Sequence, residues 1–599
     1  MPLWIRKKSS KPPKKPLSLR QQLPLIVAAF VLIFLIMPIA PAVVLILVNQ
    51  IGAPDLGDGA LGSRFINIII PLAILLSITI LLFTKRRFRR SVPVDITVAA
   101  LLFGFYFGEE NWRGKHYWEH FRREWEAKGE KFGRESLVPP PVPDEQNFAL
   151  TPLIYSSYGR FYDKLGHERL QPDTNIVDRL TMDIHENSAS SNLLSTASWT
   201  FGKQLDLPAW QNHFRTLATQ TNQSFPSLLT AQSAAKDVLV ALERFTEVLD
   251  ELRQVARLPE SRFPLEFDKE NPYEINFSHL DALRCCCRVL SLRAVAELQD
   301  GQPAAAQSEI GLMFRLIASV QGEPFLLSCA ARATMVRSAL QPVWEGLAGH
   351  RWSDKQLATN NADLAKLDFV ADYNLAMHAE MISQIQFVEF ARRHWGDLLA
   401  QSTSQSVSTN KIKIAARMFP SGWFYQNQLW IAEMMLRYNI PAVDTNFATF
   451  SPAIINEENR MVAADSHPVP YRWLGSLLLP TLGNAAEKFA WAQASTDMAR
   501  IAIALERYRL VHGGYPEKLD VLSPQFLVEI PHDVIGGQPF HYRHETNGQF
   551  ILYSIGWNER DDGGAIVLKK DSKTTLDLSE GDWVWRYPAA AETGKKSNF

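Results

Sequence analysis

Long apolar runs dominate the first hundred positions of the chain. From Leu23 to Val48 there is no charged residue, and at about 1.5 Å per residue that run exceeds the ~30 Å hydrocarbon core of a bilayer. A second run goes from Phe65 to Phe83. A third, shorter and containing Asp95, goes from Val92 to Phe107. The pattern predicts three membrane-spanning helices, at about 23–48, 65–83 and 92–107. A signal peptide shares the basic start, but the first run is too long for one and a second apolar run follows closely.

After the apolar region the periodicity changes. Residues Glu109 to Lys131 read as a highly charged helix interleaved with Trp112, Trp118, Phe121 and Trp125, a composition suited to the membrane surface. Pro139, Pro140, Pro141 and Pro143 then remove backbone donors and predict an extended spacer. From there to about Ser224 the pattern is irregular, with scattered helix. Helical periodicity takes over near Ala231 and persists, with interruptions, to about His394. Leu280, Leu283, Cys287, Leu290, Ala294 and Leu298 recur at steps of three and four, one face of a helix. Gly301 is its stop signal, and Pro303 can open the next helix, whose apolar face includes Ile310, Phe314 and Ile317. Another helix follows Pro324, and Ser353 with Gln356 predicts a capping box. Stacked antiparallel helix pairs result, without a fixed repeat period. The tract Gln401 to Thr409, rich in Ser, Gln and Thr, reads as a loop.

From Asn484 onward the chain changes again. Asn484 and Glu487 predict a capping box for a long helix carrying Met498, Ile501, Leu505 and Tyr508, which Gly513 and Gly514 end. Short alternating runs follow, Phe540 to His544, Phe550 to Ile555 and Ala565 to Leu568, with Thr546, Asn547 and Gly548 placed to turn a hairpin. The expected fold class is mainly α: N-terminal transmembrane helices, a large domain of helical hairpins and a small C-terminal α+β domain. The segments run 1–22 (basic), 23–108 (transmembrane), 109–150 (juxtamembrane helix and Pro-rich linker), 151–483 (helical) and 484–599 (helix and sheet).

Composition and charge sharpen this outline. The chain has 599 residues, 46% hydrophobic and 21% charged, too many and too apolar for a disordered protein or a disulfide-stapled miniprotein. Its formal net charge of −1 hides a split. Arg6, Lys7, Lys8, Lys11, Lys14, Lys15 and Arg20 precede the first span, and Lys85, Arg86, Arg87, Arg89 and Arg90 follow the second. These twelve cations leave −13 for the rest of the chain. The bias of Lys and Arg toward the cytoplasmic side puts both basic segments inside. Three spans then deliver everything after Phe107 to the far side of the membrane; two would leave it in the cytoplasm. The expected partners are the lipid bilayer and an unidentified protein. An acidic remainder argues against nucleic acid, and no small-molecule substrate can be read.

The stretch ALERYRLVHGGYPEKLDVL (Ala504 to Leu522), with Pro531, Tyr542 and LYSIGWNERDDGG (Leu552 to Gly564), resembles the globular end of the major pseudopilin of type II secretion. That resemblance implies a long helix, a Gly-Tyr-Pro turn, a small sheet and a calcium-binding loop. Pseudopilins carry one N-terminal apolar helix running into this domain, whereas here hundreds of residues intervene. The segments ENWRGK (from Glu109), PPPVPDEQNFA (from Pro139) and PSGWFYQNQ (from Pro420) also resemble a family of uncharacterised membrane-anchored proteins of planctomycete and verrucomicrobial bacteria. With three spans, this implies a bacterial inner-membrane location with the large C-terminal part in the periplasm, and no particular activity.

Few residues carry candidate chemistry. Asn558, Asp561 and Asp562 lie on a glycine-punctuated stretch, with Asp582 beyond it. Calcium takes six to eight hard oxygen ligands, and carboxylates with loop carbonyls supply them. An Asp-Asp-Gly-Gly sequence is also an ordinary turn, and no EF-hand spacing is present. His116, Glu119 and His120 spell H-x-x-E-H, a zinc-peptidase spacing short enough to arise by chance. Cys285, Cys286 and Cys287 are consecutive on a helix, so they point in different directions; Cys287 belongs with the core, and Cys329 is the fourth cysteine. His378, Glu380 and His394 read as surface or satisfied core groups. There is no Gly-x-Ser-x-Gly elbow, phosphate-binding loop or dinucleotide fingerprint. The expectation is a structural or protein-interaction scaffold without assigned catalysis. The alternatives are a secretion-system component and a metal-dependent hydrolase.

Overall fold

The computed structural model describes residues 92–162, 168–170, 179–180, 182–184, 198–219, 225–402, 409–464, 470–482, 484–545, 548–570, 572 and 575–586. The expected spans at 23–48 and 65–83, and the basic segments beside them, lie outside these residues. The first described element is a single helix, α1 (Val92–Ala127), which joins the expected third span to the charged segment after it. Pro93 is tolerated in its first turn, where the missing N–H has no intrahelical partner, and no further proline occurs before Pro139. Among the described residues no helix is long and apolar enough to cross a membrane. The segment 92–107, expected as a third span, is the opening of this longer helix, whose remainder is charged.

Further helices are α2 (Leu207–Ala218), α3 (Ala234–Leu242), α4 (Thr246–Val255), α5 (Ser278–Gln299), α6 (Pro303–Ser319) and α7 (Leu326–Ala348). They continue as α8 (Asp354–Leu364), α9 (Phe369–Ser402), α10 (Thr409–Ala416), α11 (Ser421–Met434), α12 (Pro452–Ala464), α13 (Trp473–Leu478) and α14 (Ala485–His512). The protein is mainly helical, with a small strand region at its C-terminal end. The chain divides into two compact units. The described residues up to Glu124, of Val388–Leu429 and of His467–Leu474 belong to the first; those of Trp125–Phe387, Trp430–Ser466 and from Gly475 onward belong to the second.

In the first unit, α1 meets the start of α11 backbone to backbone. A Cβ on Gly422 would lie 2.0 Å from the Glu110 carbonyl oxygen, and one on Gly114 would lie 2.3 Å from the Gly422 oxygen. This approach lets Asn111 Oδ1 accept from Gly422 N (2.9 Å) and Ser421 Oγ (3.0 Å), satisfying donors that a helix start leaves open. Buried Glu110 accepts from Gln426 Nε2 (2.7 Å) and from Arg113 (2.5 Å). Trp395 packs edge-on against Phe424 and Trp473. Gly422→Ala therefore forces the two helices apart, and overpacking of this kind costs about 1–3 kcal/mol. The expected readout is a lower thermal unfolding midpoint of the detergent-purified chain; an unchanged midpoint would mean that the contact yields freely.

In the second unit the α5–α6 hairpin follows the sequence signals closely. Leu280, Leu283, Cys287, Leu290, Ala294 and Leu298 are all buried, and Gly301 takes a left-handed φ of 78° before Pro303 opens α6. Ile310, Phe314 and Ile317 are buried on α6. Helix α5 packs on α3, α6 and α7, while α7 and α8 pack on α14. Ser353 and Gln356 form the capping box at α8. Asn484 makes no side-chain cap at α14, because its φ of −107° and ψ of 6° depart from the extended backbone that directs a capping oxygen. Regular geometry breaks at His394 (φ −112°, ψ 19°), after which α9 runs on to Ser402. The expected loop at 401–409 lies, from 403 to 408, outside the described residues.

The strands are short. Antiparallel pairs β1 (Arg160–Tyr162) with β2 (Glu168–Leu170) and β3 (Val443–Asp444) with β4 (Thr449–Phe450) sit within the helical region. Near the C-terminal end, β5 (His541–His544), β6 (Phe550–Ser554) and β9 (Trp583–Trp585) form an antiparallel sheet in the order β5-β6-β9, beside the pair β7 (Ile566–Leu568) and β8 (Leu576–Gly581). Helix α14 packs on β6, β8 and β9 as well as on α7 and α8.

Candidate functional site

The residues expected to bind calcium lie between β6 and β9. Gly556 opens this stretch with a φ of 66°, and a Cβ there would meet the Gly581 carbonyl oxygen at 2.3 Å, so only glycine fits. Asn558 Nδ2 donates to Asp562 Oδ2 (3.0 Å), while its Oδ1 accepts from Arg560 N. Asp561 Oδ1 accepts from Gly563 N (2.9 Å) and from the Tyr553 hydroxyl (3.0 Å), and its other oxygen is 3.4 Å from His541 Nδ1. Asp582 is buried and accepts from Gly564 N (2.6 Å) and Asp562 N (3.3 Å), one through each oxygen.

The structure thus joins Asn558 to the Asp562 side chain and holds Asp562 to Asp582 through the backbone. It turns Asp561 toward β5 and β6. The carboxylates shape the loop by accepting its N–H groups, the usual work of Asp in turns. Gly563 N–H and the Tyr553 hydroxyl hold the Asp561 carboxyl below its ordinary range. Burial pushes Asp582 up despite its two N–H donors. Among the described residues no three His, Cys, Asp or Glu side chains group as metal ligands. Asp582→Ala leaves two amides without their acceptor, at a cost of about 1–3 kcal/mol. Hydrogen exchange at Asp562 and Gly564 is expected to quicken in this variant; unchanged exchange would show that the loop holds without Asp582.

The H-x-x-E-H residues lie on α1. His116 is exposed and stacks on Trp112 at 5.1 Å, Glu119 pairs with Lys115 at 3.7 Å, and His120 is exposed. The two histidines stand one helical turn apart, as their spacing implies. Cys286, Cys287 and Cys329 are buried, Cys285 partly so, and none of the four is disulfide-bonded. Burial pushes the Cys287 and Cys329 thiols well up, away from the thiolate that a nucleophile requires. His378 is partly buried, and burial works against its charged form. Glu130, at 3.5 Å, and the Asn374 carbonyl, at 2.8 Å, outweigh that and raise it. Glu380 accepts from Gln384 at 3.3 Å.

Sequence reasoning missed a set of ionic clusters inside the helical region. His279 Nε2 lies 3.0 Å from Glu323 Oε1, Ser328 Oγ donates to Glu323 Oε2 (2.5 Å), and the imidazole stacks between Phe263 and Tyr158. All three polar residues are buried. Their order is Ser–Glu–His, so the hydroxyl meets a carboxylate and no imidazole stands ready to take its proton, as nucleophilic catalysis requires. Arg332 pairs with Asp372 through two bonds in the core. Glu309 binds Arg253 (2.5 Å) and Arg293 (3.0 Å), and Arg293 also holds Glu297 (3.1 Å). Burial and the neighbouring Glu309 push Glu297 up to about 7. Glu506 is bound by His350, Arg509 and Tyr515. The available signal was phase: Arg332 lies three, three, four and seven positions from the buried Cys329, Met335, Val336 and Ala339.

Comparison of the chain with protein-family models, with curated proteins and with solved structures finds no match. The observations define a mainly helical protein with a small C-terminal strand region.

Proposed function

We propose that this chain is a membrane-anchored bacterial scaffold whose stacked helix pairs present a binding surface for another protein. Its pseudopilin-resembling end would serve as a docking module. The observation that carries this reading is the placement of the buried ionisable groups. Arg332 with Asp372 joins α7 to α9, Glu323 with Ser328 and His279 joins the turn before α7 to α5, and Glu506 with its three donors ties α14 to the turns at His350 and Tyr515, so these groups hold elements together instead of converging on a nucleophile. Paired helices stacked in series offer an extended surface suited to partners. The anchor rests on the apolar runs 23–48 and 65–83.

For the side of the membrane we take the two-span alternative, in which 92–107 opens α1 without crossing. Two crossings with basic segments inside return the chain to the cytoplasm, so the large helical part faces that compartment and not the periplasm. Protease added to spheroplasts is expected to leave the C-terminal part intact until the inner membrane is permeabilised; digestion before that would restore the periplasmic orientation. Crosslinking in native membranes, followed by isolation of the full chain under denaturing conditions, is expected to give a discrete, reproducible partner band. Its absence across several spacer lengths would overturn the scaffold.

A further inference from the structure

Helix α1 has two opposed faces. Tyr106, Glu110, Gly114 and Trp118 recur at steps of four and are buried, Glu110 and Gly114 against the start of α11. Leu101, Phe105 and Trp112 are 67%, 64% and 65% exposed. At about 100° per residue these three fall within an arc of roughly 40°, on the side away from the buried line. The stripe extends about 16 Å along the axis. It ends where Lys115 pairs with Glu119 and Arg123 binds the Glu119 carbonyl, a charged continuation of the same side. An apolar stripe that turns charged within one helix is the pattern of an element lying in a membrane interface.

The chain outside the described residues says what covers the stripe. The apolar run that ends at Phe83 is only nine residue steps from Val92, and nine steps reach at most about 32 Å. The start of α1 is therefore tethered beside the bilayer. Five of the intervening residues are Lys or Arg, and such juxtamembrane clusters are drawn to anionic headgroups. Resting on the membrane-anchored reading above, we infer that Leu101, Phe105 and Trp112 insert into an anionic lipid surface, so that the first half of α1 lies along the interface and does not cross it. The first unit is thereby held flat against the bilayer at a fixed orientation.

The test uses the full chain with Cys285→Ser, the native cysteine that is not fully buried. Leu101→Cys, Phe105→Cys, Trp112→Cys and, as reference, Lys115→Cys are introduced singly and spin-labelled in vesicles of phosphatidylethanolamine and phosphatidylglycerol. Labels at 101, 105 and 112 are expected to be accessible to oxygen and shielded from a water-soluble nickel complex. Their common depth should be about 5–10 Å below the headgroups, with the label at 115 in water. Three results would overturn the inference: nickel accessibility equal to that at 115, spin–spin coupling showing a second copy on the stripe, or a depth that increases steadily from 112 to 101 toward the bilayer centre. Retention of the same chain in membranes after alkaline carbonate checks the anchor separately. Loss of retention defeats the anchored reading, whereas retention with water-exposed labels defeats only this inference.

Discussion

Exchanging Arg332 for methionine is expected to cost the second unit roughly 3–5 kcal/mol, the range for removing one partner of a buried ion pair. Arg332 is 1% exposed on α7, and its guanidinium binds both oxygens of Asp372 in the first turn of α9. Burial pushes the Asp372 carboxyl up to about 6 even beside Arg332. Without the cation the carboxyl must enter the fold neutral. A carboxyl raised on folding favours the native state at low pH and loses that advantage as pH rises. The penalty of Arg332→Met should therefore be smallest near pH 4 and grow through pH 6 and above. Pulse proteolysis in urea, run on the detergent-purified chain at pH 5 and pH 8, measures both effects. Adding Asp372→Leu removes the stranded group and should recover most of the loss. A single variant as resistant to urea as the natural chain would show that the pair contributes nothing.

The contrast between what the sequence disclosed and what it concealed follows the range of the interactions. The α5–α6 hairpin was legible because Gly301 and Pro303 act on their own backbone and the apolar steps lie within one helix. The capping box at Ser353 was local in the same sense. Asn484 carries the same local signature and fails, since its backbone is set by what surrounds it. Helix α1 was divided at Phe107 because apolar content changes there, yet helix propagation depends on backbone hydrogen bonds and is indifferent to that change. Strand β9 was missed since Trp583, Val584 and Trp585 are all buried, which removes the alternation that marks a half-exposed strand. The loop around Asn558 was visible as a turn. That Asp582 would spend its oxygens on Gly564 and Asp562 amides depends on strand pairing twenty residues away. The pair Arg332 and Asp372, forty residues apart, could be suspected only from a cation in an apolar phase.

Glu506→Gln is expected to give the second largest loss, roughly 2 kcal/mol at neutral pH, and one that disappears in acid. The Glu506 side chain is fully buried on α14 among donors only. Oε1 accepts from His350 Nδ1 (2.9 Å) and Arg509 Nη2 (2.8 Å), and Oε2 accepts from Arg509 Nε (2.9 Å) and the Tyr515 hydroxyl (2.9 Å). In glutamine one oxygen becomes an amide nitrogen, and on either side it would face two donors. Burial opposes the carboxylate, but the hydrogen bonds from Arg509 and His350 overcome it and hold the carboxyl down to about 2. Against an ordinary value of about 4.3, that drop is worth roughly 3 kcal/mol, reduced to roughly 2 because His350 and Arg509 are partly exposed to screening solvent. A carboxyl depressed on folding contributes its full stabilisation above its unfolded pKa and loses it as pH falls through the folded one. The gap between natural chain and variant should therefore close as pH falls from about 5 toward pH 2. Taking the difference between the two proteins cancels the titration of shared groups that Glu506 does not touch. A gap that stays the same from pH 7 to pH 2 would show that glutamine is simply packed less well, and that the charge of Glu506 does not tie the end of α14 to His350 and the turn at Tyr515.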